Sequence, residues 1–226
     1  MKKILLAVIL GTLAFSCSSD SSSSSSLSNT PEAKAMYDGS NYGIYKGVFV
    51  GSSGSVYINI NNDGTIFATL VIDGTTFNYT TTESATLNSI ISGLTFTNGT
   101  SSFDFNVDAT GNFATISNIS INGHPNASLY IIKEFSDAIV KCYVGTFNGD
   151  DAGVFNLIVS DGEINGLAKS NSDTESISLE GLETSNVITG TFSGGTFSGN
   201  VNNNSISGTW QNTLSESGSW SGTRKL

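Results

Sequence analysis

The residues able to do chemistry here are few: one histidine, two cysteines and two tryptophans stand among 226 residues. His124 sits in Asn122-Gly123-His124-Pro125-Asn126, where Gly and Pro predict a solvated turn. A Ser-His-Asp or Cys-His site would need this imidazole, yet the sequence has no G-x-S-x-G nucleophile signature. His-based zinc is disfavoured too, since neither H-x-x-x-H nor C-x-x-C occurs. Paired carboxylates leave one catalytic route open, glycoside hydrolysis, with Glu163, Glu175, Glu180, Glu183 and Glu216 in the second half. They lie in polar, turn-rich sequence rather than in the apolar surroundings that make a general acid. Asp150-Asp151, Asn61-Asn62-Asp63-Gly64 and Asn202-Asn203-Asn204 offer oxygen ligands of the kind calcium prefers. The D-x-D-x-D-G spacing is absent, and turn chemistry accounts for these residues. The expectation is a non-enzymatic chain without metal or cofactor.

The aromatic residues are more informative. Trp210 in Ser207-Gly208-Thr209-Trp210 and Trp220 in Ser217-Gly218-Ser219-Trp220 are ten residues apart, on what read as adjacent antiparallel strands. They are the candidate ligand-binding residues. Facing outward beside Asn and Thr, they would form a platform for stacking sugars. Facing inward, they would be core or would line an apolar cavity. Period two puts Trp210 on one face with Ile206 and Gly208, which favours inward. The G-T-W and G-S-W pieces loosely resemble the closing strands of small β-barrel lipoproteins and lipocalin-like proteins. Cys142 lies in the strand-like run Ile139-Val140-Lys141-Cys142-Tyr143, where a buried, inert thiol is expected over a reactive one.

The first residues concern location. Lys2 and Lys3 precede an uncharged run from Ile4 to Phe15, too short to span a bilayer and suited to the apolar part of a signal peptide. Residues 1–16 are therefore set aside from the fold. Ala14-Phe15-Ser16-Cys17 resembles a bacterial lipobox, departing from it in carrying Phe15 where a small residue is usual. The resemblance implies cleavage before Cys17 and lipidation of Cys17, which would anchor the chain in a bacterial membrane. Ala14-Phe15-Ser16 also satisfies the ordinary signal-peptidase rule, which would give a soluble secreted protein and permit a Cys17–Cys142 bridge. Residues 17–36 read as the lipidated Cys and a flexible tether, because Ser18 to Asn29 holds almost nothing that could be buried. Short Ser/Asp tethers of this kind resemble those of Bacteroidota-like surface lipoproteins, which implies the outer membrane and the cell surface.

Charge narrows the partners. Without Lys2 and Lys3, the 9 Lys+Arg become 7, against 19 Asp+Glu. So acidic a chain is a poor partner for nucleic acid or anionic lipid, and its membrane contact would come through lipid on Cys17.

The elements that must carry these residues are β-strands. Apolar runs are short, alternate with polar residues, and are rich in Val, Ile, Phe, Tyr and Thr. Asp63-Gly64 and Asp161-Gly162 are hairpin-turn signals between such runs. The two segments align without a gap at an offset of 98: Tyr45 with Tyr143, Gly47 with Gly145, Phe49 with Phe147, Val56 with Val154 and Ile66 with Ile164. A third copy begins at Gly195, offset by 42 from Gly153, and a weaker fourth spans Ser102 to Ile116. The body, 37–226, therefore reads as an all-β domain of two related halves, 37–134 and 135–226. About twelve short strands are expected to close into one antiparallel barrel or a two-sheet sandwich, with two abutting half-barrels as the alternative. The strands read as too short for a membrane-spanning barrel. Thr30 to Ala35 and Ser84 to Ile91 are candidate helical turns.

The functional expectation is a non-catalytic, membrane-anchored envelope lipoprotein that binds a small apolar molecule or a glycan. The alternative is a structural or protein-interaction lipoprotein without a small-molecule site.

Overall fold

The computed structural model describes residues 27–50 and 52–226. The leader, Cys17 and the serine run through Ser26 lie outside the described residues, as does Gly51. The fold is all-β and antiparallel, as the alternation predicts. The first half forms β1 (Gly43–Val50), β2 (Gly54–Ile60), β3 (Ile66–Ile72), β4 (Thr75–Thr80), β5 (Ile91–Asn98), β6 (Ser101–Val107), β7 (Thr115–Ser120) and β8 (Ser128–Glu134). The second forms β9 (Val140–Gly149), β10 (Gly153–Ser160), β11 (Glu163–Ser170), β12 (Ile177–Thr184), β13 (Val187–Phe192), β14 (Gly195–Asn202), β15 (Ser205–Asn212) and β16 (Ser217–Arg224).

These sixteen strands correct the expected twelve. They make one closed barrel and one nearly closed barrel side by side, which is nearest to the alternative of two abutting half-barrels. In the second half β16 pairs back onto β9, Trp220 opposite Phe147, and the barrel is closed. In the first half the order is β7-β6-β5-β4-β3-β2-β1-β8, with β7 returning beside β8 without a ladder between them. Each half covers its own sheet edges, so neither needs the other's strands to close. The expected boundary near 134/135 falls between β8 and β9.

Local sequence explains the hairpins. Asp161-Gly162 is a two-residue loop with φ of 49° and 76°, the left-handed pair that a type I′ turn requires. Along β15 and β16, Ile206, Trp210 and Trp220 are buried while Ser207, Thr209, Ser219 and Ser221 are exposed. Polar residues outside and apolar residues inside are the inverse of a membrane-spanning barrel's pattern.

The internal repeat is visible but slips. Tyr45 and Phe49 face the first core, and Tyr143 and Phe147 pack with the second. Gly54 pairs with Phe49, and Gly153 pairs with Phe147, so the offset rises from 98 to 99 across the first hairpin. Val56 then corresponds to Phe155, not Val154: Val56 and Phe155 point inward, whereas Val154 lies on the opposite face. The longer turn at 61–65 restores the offset, so Ile66 and Ile164 correspond again. A one-residue slip moves every side chain to the other face, which is why the gapless alignment fails on β10. The third copy holds, with Gly195, Phe197, Val201 and Ile206 all facing inward.

Neither expected helical turn forms. One 3₁₀ turn, Ala35–Tyr37, begins after the Thr30-Pro31 signal, and no helix forms over Ser84–Ile91. The segment before that turn is tied down. Arg224 donates to the Ser28 carbonyl and to Asn29 Oδ1, at 2.5 and 3.2 Å. Glu32 N donates to Glu134 Oε1 at 2.7 Å, and Lys34 N donates to Asn62 Oδ1 at 3.0 Å. Residues 28–36, expected as loose tether, thus bond to both barrels.

The barrels meet through a dry seam of Val48, Val140, Cys142 and Ile158, all buried. Beside it Lys46 Nζ donates to Glu134 Oε2 at 2.7 Å, and Val140 N donates to the same oxygen at 3.0 Å. Both charged residues are buried, so Glu134 depends on Lys46 for compensation, and Lys46 has a second carboxylate, Glu32, at 3.6 Å.

Candidate functional site

The two barrels differ in how their interiors are filled. In the first, Phe96, Phe103 and Phe105 are fully buried, with Phe96 and Phe103 stacked at 5.3 Å and Tyr45 set edge-on to Phe105 at 4.8 Å. In the second, one end is plugged by Ile164, Ile188 and Ile206. The other end is a cavity of about 270 Å³.

Trp210 and Trp220 line that cavity. Both face the interior, so an outward sugar platform is not formed. Their fixing is specific. Trp210 Nε1 donates to the Asn148 carbonyl at 3.2 Å, and Trp220 Nε1 donates to the Thr209 carbonyl at 3.1 Å. With the indole N–H groups used, the rings offer the cavity only apolar and π surface. Trp220 stands edge-on to Phe155 and Phe197, at 5.7 and 6.2 Å, and Trp210 edge-on to Phe147 at 6.1 Å.

Glycine makes room for these rings. A Cβ on Gly208 would lie 1.9 Å from the Ser198 carbonyl oxygen and 2.6 Å from Trp220 Cζ2. Gly199, its partner across β14 and β15, approaches the same indole atom. Inward glycines facing inward aromatics let large rings cross a narrow barrel.

The mouth is built from four loops: 150–152, 171–176, 193–194 and 213–216. They place Asp151, Asp173, Glu175 and Glu216 around an apolar interior. Asp151 Oδ1 accepts from Ser170 Oγ at 2.7 Å and Glu216 Oε2 accepts from Asn212 Nδ2 at 2.6 Å. Asp150 Oδ2 accepts from Ser217 N at 2.8 Å, tying two of the loops together. Among the described residues, no Lys or Arg lines the cavity.

The other candidate residues are dispersed. Glu175 and Glu216 share the mouth, but Glu163 is at the opposite end and Glu180 is exposed. His124 is in a turn but is not simply solvated: its ring stands edge-on to Phe49 at 5.4 Å, and Nδ1 is 2.8 Å from Ser52 Oγ. Its bonded neighbour is a hydroxyl, not a carboxylate that would orient it as a base. Asp63 accepts from Thr65 and Asn59 within its own turn, which holds its carboxyl below the usual range. Among the described residues no group of three or more His, Cys, Asp or Glu could hold a metal ion. Cys142 is buried at the seam, and burial pushes its thiol up to about 12.

A second concavity, about 560 Å³, runs between the barrels and is lined by Phe113, Tyr130, Lys133, Asp161 and Glu163 among others. Phe113 is 87% exposed, with φ of 54°, an uncommon conformation for a bulky residue. Sequence reasoning missed this cleft and the acidic mouth. The inward Gly-x-Phe and Gly-x-Trp spacing carried a signal for the aromatic interior. The mouth had none, because its carboxylates come from loops far apart in the chain.

Fold and site together define an all-β protein of two eight-stranded units, one a nearly closed barrel lined with buried rings and the other a closed barrel with a cavity at one end. Compared with protein-family models, curated proteins and solved structures, the chain matches none of them.

Proposed function

We propose that the protein is a non-catalytic, lipid-anchored binding protein of the bacterial envelope, holding a small apolar ligand in the mouth of its C-terminal barrel. The observation that carries this reading is the aromatic cavity of about 270 Å³. A barrel built only for stability would fill that space, as its neighbour does. At about 30 Å³ for each water-sized group, the cavity has room for roughly nine non-hydrogen atoms. Bound there, a ligand would displace water from the faces of Trp210 and Trp220 rather than hydrogen-bond to their indoles. The inward direction of both rings supports an apolar ligand over a glycan. The lipobox-like Cys17 and the serine run support membrane anchorage, and the polar outer faces of β15 and β16 support a body that stands in water.

Native mass spectrometry of the chain released gently from its own envelope tests this. A bound species of fixed mass is the expected result, and a bare chain would count against it. Intact mass of the mature protein tests the anchor: mass beyond the chain from Cys17 is expected. A bare chain would leave a soluble secreted protein.

A second reading has one observation in its favour. Phe113, exposed and at a positive φ beside the inter-barrel cleft, is where a partner protein would touch under this reading. Cross-linking on intact cells through a residue at position 113 would capture a partner under that reading.

A further inference from the structure

Resting on the reading of the second barrel as a ligand site, we infer that its ligand is an amphiphilic cation: an apolar tail of about eight carbons with a positive head group at the mouth. The cavity fixes the tail. Its walls are Phe155, Leu157, Leu179, Phe197, Trp210 and Trp220, and both indole N–H groups already have backbone partners. A polar group pushed to the floor would find no donor there and would lose its hydration.

The mouth fixes the head. Asp151, Asp173, Glu175 and Glu216 come from three separate loops and converge on one opening, without a Lys or Arg among the lining residues. The hydrogen bonds to Asp151 and Glu216 come from Ser170, the Ala152 amide and Asn212, which are neutral and leave the negative charge uncompensated. The opposite end of the same barrel is different: Lys141, Arg224 and Lys225 share it with Asp161, Glu163 and Glu183, whereas near the mouth the one cation among the described residues, Lys169, is on the outer face of β11. The charge asymmetry therefore runs along the barrel axis and is not merely the acidity of the whole chain. An anionic head such as a carboxylate or sulfate would be repelled at this mouth. A cationic head would be held by the rim while the aromatic rings just inside add cation–π attraction.

The test uses three probes that share one tail: octyltrimethylammonium, octanol and octyl sulfate. The mature full chain is titrated at low salt with each, and tryptophan emission is read. Both tryptophans of the chain line the cavity, so the signal reports on this site. The expected order is ammonium tightest, then octanol, then sulfate, with on the order of tenfold between ammonium and octanol. That gap should shrink as salt rises. The double variant Asp173→Asn with Glu175→Gln should close most of it and leave octanol affinity unchanged. Glu163→Gln, at the far end, should leave it intact. Equal binding of all three probes, or an unchanged gap in the double variant, would overturn the cationic assignment while leaving the apolar site standing. No binding by any probe would overturn the site as well.

Discussion

The two barrels share their strand number and much of their sequence pattern, yet one is crossed by fully buried aromatic rings and the other is hollow at one end. The difference lies in what faces inward. In the first barrel, Phe103 meets Phe96 and Tyr79, Phe105 meets Tyr45, and all five rings are buried. In the second, Gly145, Gly190, Gly199 and Gly208 take inward positions, and aromatic rings lie across them. Rings stacked over glycine fill the wall but not the axis near the mouth. Duplicated hairpins can thus give a stabilising barrel and a hollow one, according to whether glycine or a side chain faces the centre.

The seam should show the largest effect. Glu134→Leu leaves the buried Lys46 with only the half-exposed Glu32 carboxylate, 3.6 Å away, and removes the acceptor for Glu32 N and Val140 N. A loss of roughly 5 kcal/mol is expected by denaturant unfolding, and both barrels should lose stability together. Independent melting of the second barrel at its normal midpoint would break the claim that the seam couples them.

Truncations inside the barrels separate filled from hollow. Phe103→Ala should cost about 4 kcal/mol, because its site is enclosed on all sides. Leu179→Ala, beside a space already present, should cost nearer about 2 kcal/mol and weaken ligand binding. Equal costs would mean that the two interiors are packed alike.

Filling a glycine moves backbone as well as a ring. Gly208→Ala forces a Cβ against the Ser198 carbonyl oxygen and Trp220, so β14 must shift together with the indole, and a cost of about 3 kcal/mol is expected. A shifted tryptophan emission maximum is the expected sign.

The smallest effect is in pH. Burial lowers the Lys133 ammonium to about 8, although Asp38 and Asp108 oppose this, and Nζ donates to the Tyr37 carbonyl at 2.7 Å. From pH 8 to its ordinary range the unfolded chain holds this proton while the folded chain does not, so stability rises with pH. Burial raises the Cys142 thiol to about 12, and the unfolded thiol loses its proton first, so stability falls with pH above about 9. The buried Tyr45 hydroxyl, also raised, adds to that fall above about 10. A shallow gain of about 1 kcal/mol or less between pH 8 and 9 is expected, and it should vanish in Lys133→Met.

Much of the fold was legible in the chain. Alternation gave the strands, Asp161-Gly162 gave a hairpin, and the shared face of Ile206, Gly208 and Trp210 gave the inward tryptophan. Strand number was underestimated because β4 and β7 are short and made mostly of Thr, Ser and Asn, with few apolar residues to mark them. The two-barrel division was harder to read. Its one local sign is the near-continuous apolar stretch Phe155-Asn156-Leu157-Ile158-Val159, which buries both faces of β10, one against its own core and one against β1. Closure of each half depends on which distant edge a strand meets, and spacing along the chain does not encode that. For the same reason the acidic mouth could not be seen, since Asp151 and Glu216 become neighbours only when β16 pairs with β9.

Crystals of the mature chain under xenon pressure test the contrast most directly, since xenon enters apolar space that side chains leave empty. Xenon between Trp210, Trp220 and Leu179, with none among Phe96, Phe103 and Phe105, is the expected result. Xenon absent from the second barrel, or present equally in both, would contradict it.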